Sequence, residues 1–222
     1  MTSYFLVFRF RLLAFLNRLL CRIMYQVKLP SLSPLPEKGP ALLVCDHTSL
    51  GDPLVLLATA GRSITFLMAE EIYHRRGLNW VFKDFGCVPV RRGKTDIRAV
   101  RMILQALDRE EVVGLFPEGG LDQHRDETGH VGIGYLALKT GVPVIPASII
   151  WDRSRPMSIL ATLLIPCRAH VRYGAPLDFS CQVPPTRSAM RTATKTIMTA
   201  IQSIRQAIMA GSIQSNRQPW NP

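Results

Sequence analysis

The sequence predicts an α/β fold: a single domain with a largely parallel mixed sheet flanked by helices, preceded by an N-terminal amphipathic helix on a membrane surface. Short apolar runs alternate with amphipathic runs at the spacing of β-α-β units. Predicted strands cover residues 41–45, 63–68, 87–90, 111–116, 142–150 and 168–173. Predicted helices cover residues 52–60, 70–83, 95–109, 130–140 and 187–210.

Cap and turn residues set the bounds of these elements. Asp52 is expected to cap the first helix of the domain, with Pro53 at its first position and Gly61 after its end. Pro117 stops the strand before it, and Gly211 is expected to end the last helix. Parallel sheets bind ligands beyond the carboxyl ends of their strands, so the loops at that edge should carry the function.

Composition narrows the class of protein. The 222 residues are 47% hydrophobic and 19% charged, which allows one globular core and excludes wholesale disorder. The five cysteines form no C-x-x-C pair, so reduced thiols in a cytosolic setting are expected rather than disulfides or zinc. The net charge is +11, with all acidic residues between Glu37 and Asp178. Basic ends suit an anionic membrane, a phosphorylated substrate or nucleic acid.

The N-terminal segment, residues 4–24, combines Phe and Leu with arginines at short intervals. On a helix, Arg11, Arg18 and Arg22 fall within about 40° of one another, with leucines turned away from them. Arg9 falls on the opposite side and is expected to snorkel. The apolar stretch is too short to span a bilayer, and the pattern does not indicate a signal peptide. It predicts a helix at the headgroup boundary of an anionic leaflet; the alternative is a surface helix packed on the core.

These patterns divide the chain into four predicted regions. Residues 1–28 form the membrane-associating helix, 29–40 a proline-rich linker, 41–178 the functional core, and 179–222 a basic C-terminal helix and tail.

His47 and Asp52 follow the first predicted strand, in VCDHTSLGDP. On one straight helix they would diverge by about 140°, so a bend in the loop is needed to bring them together. A histidine can take a proton from an alcohol near neutral pH, and a carboxylate on its second nitrogen fixes the tautomer. The alternative is a helix-capping Asp52 and an unrelated polar His47.

Arg91 and Arg92 follow the third predicted strand, just before Gly93. Two guanidiniums beside a turn suit a phosphate, because each planar fork donates in pairs. The alternative is a solvated basic pair.

Glu118, Gly119 and Gly120 follow the fourth predicted strand, in FPEGG. The glycines would allow backbone to approach a ligand, and Glu118 could orient an arginine or bind an acceptor hydroxyl. The alternative is a simple turn with Glu118 in solvent.

Pro146 lies inside the fifth predicted strand, in VPVIPAS. A proline there predicts an edge strand or a bulge near the site.

In order, DHTSLGD, GCVPVRR, FPEGG and VPVIPA resemble the four motifs of the PlsC-like glycerolipid acyltransferases, which include the 1-acylglycerol-3-phosphate acyltransferases. The resemblance covers residues 41–150. It implies that His47 is the base and Asp52 its support, and that Arg92 contacts the acceptor phosphate. It also implies that Glu118 and Gly119 line the acceptor site.

Three positions depart from the family pattern. Asp46 stands where Asn is common, Arg91 where an acidic residue is frequent, and Gly120-Leu121 where Thr-Arg usually continues the third motif. The missing arginine removes one expected phosphate contact, which Arg91 could replace. A different lyso-lipid, such as a lyso-ornithine lipid, is therefore an alternative acceptor.

The resemblance implies transfer of a fatty acyl group from acyl-CoA or acyl carrier protein to a lysophospholipid hydroxyl, as in phospholipid biosynthesis. This chemistry needs no metal or cofactor, and the sequence shows no cluster of metal ligands. The aromatics cluster with leucines in the N-terminal helix, which favours lipid over a nucleic-acid partner. The same helix, together with the reduced thiols, predicts a position on the cytoplasmic face of a membrane. Two alternatives are a lipid hydrolase, which would need a nucleophile or activated water, and a non-catalytic basic protein that binds membrane or nucleic acid.

Overall fold

A computed structural model describes residues 2–28, 34–75, 77, 79–90, 97–117, 127–153, 158–180 and 185–215. Its strands are β1 (Ala41–Cys45), β2 (Ile64–Ala69), β3 (Val88–Val90), β4 (Val112–Leu115), β5 (Val144–Trp151) and β6 (Ala169–Tyr173). Its longer helices are α1 (Thr2–Ile23), α2 (Asp52–Thr59), α5 (Ile97–Asp108), α6 (Glu127–Thr140) and α8 (Arg187–Ser215). Three shorter helices are α3 (Glu70–Tyr73), α4 (Asn79–Asp84) and α7 (Ile159–Leu164).

The six described strands form one sheet in the order β3-β2-β4-β1-β5-β6. Every described pair is parallel except β5 with β6, so the carboxyl ends of β1 to β5 lie at one edge. This confirms the predicted α/β class with a largely parallel, mixed sheet. The predicted domain bounds at residues 28, 40 and 178 stay predictions.

Both faces of the central strand β1 are buried. Leu43 and Cys45 pack with α2 and the end of α1 on one side, whereas Leu42 and Val44 pack with α5, α6 and α8 on the other. Burial on both faces explains why β1 is a continuous apolar run rather than an alternating one.

Pro146 corrects one prediction, because β5 is an interior strand between β1 and β6. The carbonyl of Pro146 accepts from the amide of Gly174, one residue beyond the end of β6. The backbone N and O of one strand residue point to the same side of the strand, so the nitrogen of Pro146 also faces β6. Because the hydrogen-bonded pairing with β6 stops at this point, the N–H that proline lacks is not needed there.

Two helix predictions also need correction. Residues 70–83 were predicted as one helix, but α3 and α4 are separate, and Gly77 between them has a φ of +85°. Gly211 does not end the last helix, since α8 runs to Ser215. Sequence periodicity did not predict α7.

Helix α1 packs on the protein's own core along one face. The Asn17 side chain donates to the carbonyl of Leu54 in α2 at 2.9 Å. The Arg9 guanidinium lies 2.7 Å from a carboxylate oxygen of Asp84 and over the ring of Trp80. The expectation that Arg9 snorkels is therefore wrong, because this side chain ties α1 to α4.

The opposite face of α1 is exposed and apolar. Its large side chains are between 43% and 63% exposed: Phe8, Leu12, Phe15, Leu16, Leu19 and Ile23. The three arginines predicted to form a stripe, Arg11, Arg18 and Arg22, are exposed as well. Within the described residues, no helix is long and apolar enough to cross a membrane.

Candidate active site

The loop between β1 and α2 brings His47 and Asp52 together. Nδ1 of His47 lies 3.0 Å from Oδ2 of Asp52, whose side chain is 0% exposed. The same oxygen accepts from the backbone amides of Thr48 at 2.7 Å and Ser49 at 2.8 Å. The loop therefore bends as the pair requires, and its bonds to the Asp52 carboxylate hold it in that conformation.

Asp52 is not the N-cap that the sequence predicted. Gly51 occupies the cap position, and Asp52 is the first residue of α2, with Pro53 in the first turn as expected. Its carboxylate accepts from amides that precede the helix rather than from the amides of the first turn.

Trp151 completes the partners of Asp52. Its indole Nε1 donates to Oδ1 of Asp52 at 2.7 Å from the carboxyl end of β5. The ring lies so close to the loop that a Cβ at Gly51 would stand 2.8 Å from it. The ring of Tyr25 packs edge-on against the ring of Trp151, with the ring centroids 5.0 Å apart. The Tyr25 hydroxyl in turn donates to the backbone carbonyl of Thr162.

These contacts fix the state of His47. Because Nδ1 faces a carboxylate that only accepts, it carries the proton in the neutral ring, and Nε2 keeps a lone pair. The ring also stacks on Phe116, with centroids 4.1 Å apart. An imidazole held in this tautomer can act as a general base.

His47 borders a cavity of about 350 Å³ with an almost entirely apolar wall. The wall comes from α2, β2, α4, β4 and α7 and includes Leu54, Leu57, Phe66, Phe82, Phe85 and Leu163. Burial in this wall raises the pKa of the Cys87 thiol to about 12. With so high a pKa, the Cys87 thiol stays protonated at neutral pH. The apolar wall makes the cavity suitable for a hydrocarbon chain.

A second buried carboxylate lies next to the site. Oδ2 of Asp46 accepts from Ser148 at 3.0 Å and pairs with Arg205 of α8 at 2.6 Å, while Oδ1 accepts from the Ile149 amide. Arg205 neutralises the charge that Asp46 adds where the family commonly has Asn. The end of β1 is thereby tied to β5 and α8.

The other predicted site residues, Arg91, Arg92, Glu118, Gly119 and Gly120, lie outside the described residues. Their described neighbours Val90 and Phe116 both line the cavity beside His47. The roles assigned to these five residues stay predictions.

Sequence reasoning missed Trp151 and Arg205 as partners of the two aspartates. They lie 99 and 159 residues from Asp52 and Asp46, so no spacing rule links them. The one available signal was a tryptophan at the end of the strand that carries the fourth motif.

The fold and the site together define an α/β protein in which a histidine held by a buried carboxylate lines an apolar cavity. Residues 26–150 match the family described as acyltransferase. This match covers more than half of the chain, so the protein belongs to the acyltransferase family, as the four motifs indicated.

The chain is also similar to two known proteins. The chain is 27% identical over 134 residues to the chloroplastic 1-acyl-sn-glycerol-3-phosphate acyltransferase BAT2 of Brassica napus, covering 57% of this chain and 38% of that protein. The crystal structure of the 1-acyl-sn-glycerophosphate acyltransferase PlsC from Thermotoga maritima superposes with a TM-score of 0.67 at 19% identity. That match covers 93% of this chain and 88% of the other, and it shows that the two share a fold.

Proposed function

We propose that this protein transfers a fatty acyl group from acyl-CoA or acyl carrier protein to a hydroxyl of a lysophospholipid such as 1-acylglycerol-3-phosphate. The observation that carries the proposal is a His47–Asp52 pair at the edge of an apolar cavity. The names of the two relatives support the acceptor class.

The reaction follows from the state of His47. The acceptor hydroxyl donates to Nε2, which takes the proton as the oxygen attacks the thioester carbonyl carbon. The tetrahedral intermediate then collapses, the carbon–sulfur bond breaks, and the imidazolium returns its proton to the leaving thiolate. Asp52 stabilises the imidazolium between these steps.

The cavity would hold the hydrocarbon chain, because its volume falls at the lower end of ordinary ligand pockets and its wall is apolar. Arg92, with Arg91, would hold the anionic head group, and Glu118 with Gly119 and Gly120 would border it. Chemistry of this kind needs no metal or cofactor, so none is proposed.

A hydrolase that uses Ser49 or Cys45 as its nucleophile is disfavoured by the surroundings of these two side chains. Ser49 is 2% exposed and its hydroxyl accepts from the Gly51 amide, while Cys45 is 0% exposed. Neither side chain can reach a substrate as a nucleophile.

We further propose that the protein binds the cytoplasmic face of a membrane through α1. One face of α1 is held by the domain, while the exposed face is apolar and bordered by Arg11, Arg18 and Arg22. This arrangement would bring the site to the lipids on which it acts.

The test of substrate class is a product analysis with the purified protein. Acyl-CoA and acyl carrier protein donors are offered with a panel of lyso-lipids that includes 1-acylglycerol-3-phosphate and a lyso-ornithine lipid. We expect the diacyl product of the glycerophosphate acceptor to dominate by mass spectrometry. A dominant acylated lyso-ornithine lipid would overturn the acceptor, and free fatty acid released without any acceptor would overturn transfer itself.

A further inference from the structure

A second concavity lies at the outer edge of the sheet, away from His47. Its volume is about 450 Å³, and no residue that the structure describes lines both this concavity and the cavity beside His47. The wall is formed by β6, the end of α8 and the segment after α1. Four of its side chains carry or can carry positive charge: Lys28, Arg168, His170 and Arg172. We call this concavity the basic groove.

The charge of the basic groove is largely uncompensated. Among the described residues, Lys28, Arg168 and Arg172 form no ion pair with a carboxylate, and all three are exposed. The fourth cationic group, His170, is paired, because its Nε2 lies 2.9 Å from a carboxylate oxygen of Asp152. Cations that converge on one concavity favour an anionic ligand.

The conformation and contacts of Gln26 hold one of the groove's arginines in a fixed orientation. The backbone folds back just after α1, where the amide of Val27 donates to the carbonyl of Cys21. Gln26 has a φ of 47°, where glycine would be unstrained. Its Oε1 accepts from both Nε and Nη2 of Arg168, at 3.2 and 3.0 Å. The strained glutamine thus aligns the Arg168 guanidinium in the groove.

The position of the groove selects one kind of anion. Gln26 and Lys28 directly follow α1, whose arginine stripe ends at Arg22. An anion bound there would lie beside the headgroup layer that the exposed face of α1 is proposed to enter.

We propose that the basic groove binds the phosphate headgroup of an anionic phospholipid, as a second lipid site separate from the acceptor site. The inference rests on the membrane binding proposed above. It assigns Arg168 and Arg172 to the lipid phosphate and makes Gln26 a positioning residue for Arg168.

The test measures partition of the full chain onto vesicles of phosphatidylcholine, with and without about one-fifth phosphatidylglycerol. R168Q/R172Q should lose about tenfold of the preference for the anionic vesicles. The matched control is R187Q/R191Q, which removes the same charge from exposed positions on α8 and should stay within about twofold of wild type. Equal losses in both variants would overturn the groove and leave only diffuse charge attraction.

A second variant separates the groove from folding. Gln26→Gly removes the strain and the Arg168 contact together, so it should unfold at the same temperature as wild type or higher, yet lose anionic preference. Unchanged preference in this variant would overturn the role of Gln26.

Further outcomes separate this inference from the proposed function. Failure of wild type to bind either vesicle overturns the membrane proposal and the groove with it. Binding to phosphatidylcholine vesicles without an anionic increment overturns the groove alone. Displacement from anionic vesicles by millimolar inorganic phosphate would assign the groove to soluble phosphate. Loss of transfer from acyl carrier protein with unchanged vesicle binding would assign it to that acidic donor.

Discussion

Asp52 is the residue on which the site is assembled. Oδ2 accepts from His47 and from two backbone amides, and Oδ1 accepts from Trp151, so both oxygens of a fully buried carboxylate have partners. A buried charge without such partners would cost several kcal/mol. The hydrogen bonds therefore offset the free-energy cost of burying Asp52, and they hold the imidazole of His47 in one tautomer.

Trp151→Phe tests the contribution of the indole N–H to this arrangement. The variant keeps most of the ring but leaves Oδ1 of Asp52 without its donor, which should destabilise the fold by about 1–3 kcal/mol. We expect kcat to fall about tenfold with little change in KM, because the orientation of His47 suffers rather than binding.

The matched control is Trp80→Phe. Trp80 also donates to a single oxygen, the carbonyl of Gly77, but it is 50% exposed. Because Trp80 has no contact with Asp52 or His47 among the hydrogen bonds described, the Trp80→Phe variant should keep kcat within about twofold of wild type. If Trp151→Phe instead had a normal kcat, Trp151 would have no role in positioning His47.

The residues predicted from sequence and those missed differ in how far apart their partners lie. His47 and Asp52 stand five positions apart, so the chemistry of one short loop indicated the pair. Trp151 and Arg205 reach the site only because β5 and α8 pack beside β1. The order in which strands and helices pack is a tertiary property, which local patterns do not encode.

Among the elements, α1 has two different apolar faces. Helical periodicity predicted a membrane face, and the structure adds that the opposite side is fixed to α2 and α4 through Asn17 and Arg9. Periodicity alone could not distinguish the two faces, since both are rich in Phe and Leu. Gly211 shows a similar limit of local patterns, because α8 continues past it to Ser215.

Phe15→Glu tests the exposed face of α1. Phe15 is 63% exposed, so the substitution should leave the fold intact while placing a charge where the bilayer is expected. We expect binding to phosphatidylcholine vesicles to fall at least tenfold in a flotation assay.

The control for that variant is Met102→Glu, on the exposed side of α5, where Met102 is 38% exposed. It should bind vesicles as wild type does. If both variants bind equally well, α1 is not the membrane contact.

At the scale of the whole molecule, the strand order decides where the chemistry can occur. The order β3-β2-β4-β1-β5-β6 places the carboxyl ends of β3, β4 and β1 at one edge of the sheet. The sequence predicted the parallel class, because alternating strands and helices leave few other topologies. It could not predict the apolar cavity, since that space exists only where α2, α4 and α7 close over the same edge. Pro146 illustrates the same point, because its place in an interior strand depends on where β6 ends.

The central claim is that His47, held by Asp52, is the base for acyl transfer. The most direct test is the rate of acyl transfer by purified His47→Ala compared with wild type, with the exposed His74→Ala as control. We predict a loss of at least about 10²-fold for His47→Ala, with its unfolding temperature preserved and the His74→Ala rate unchanged. Turnover by His47→Ala within about twofold of wild type would contradict the assignment.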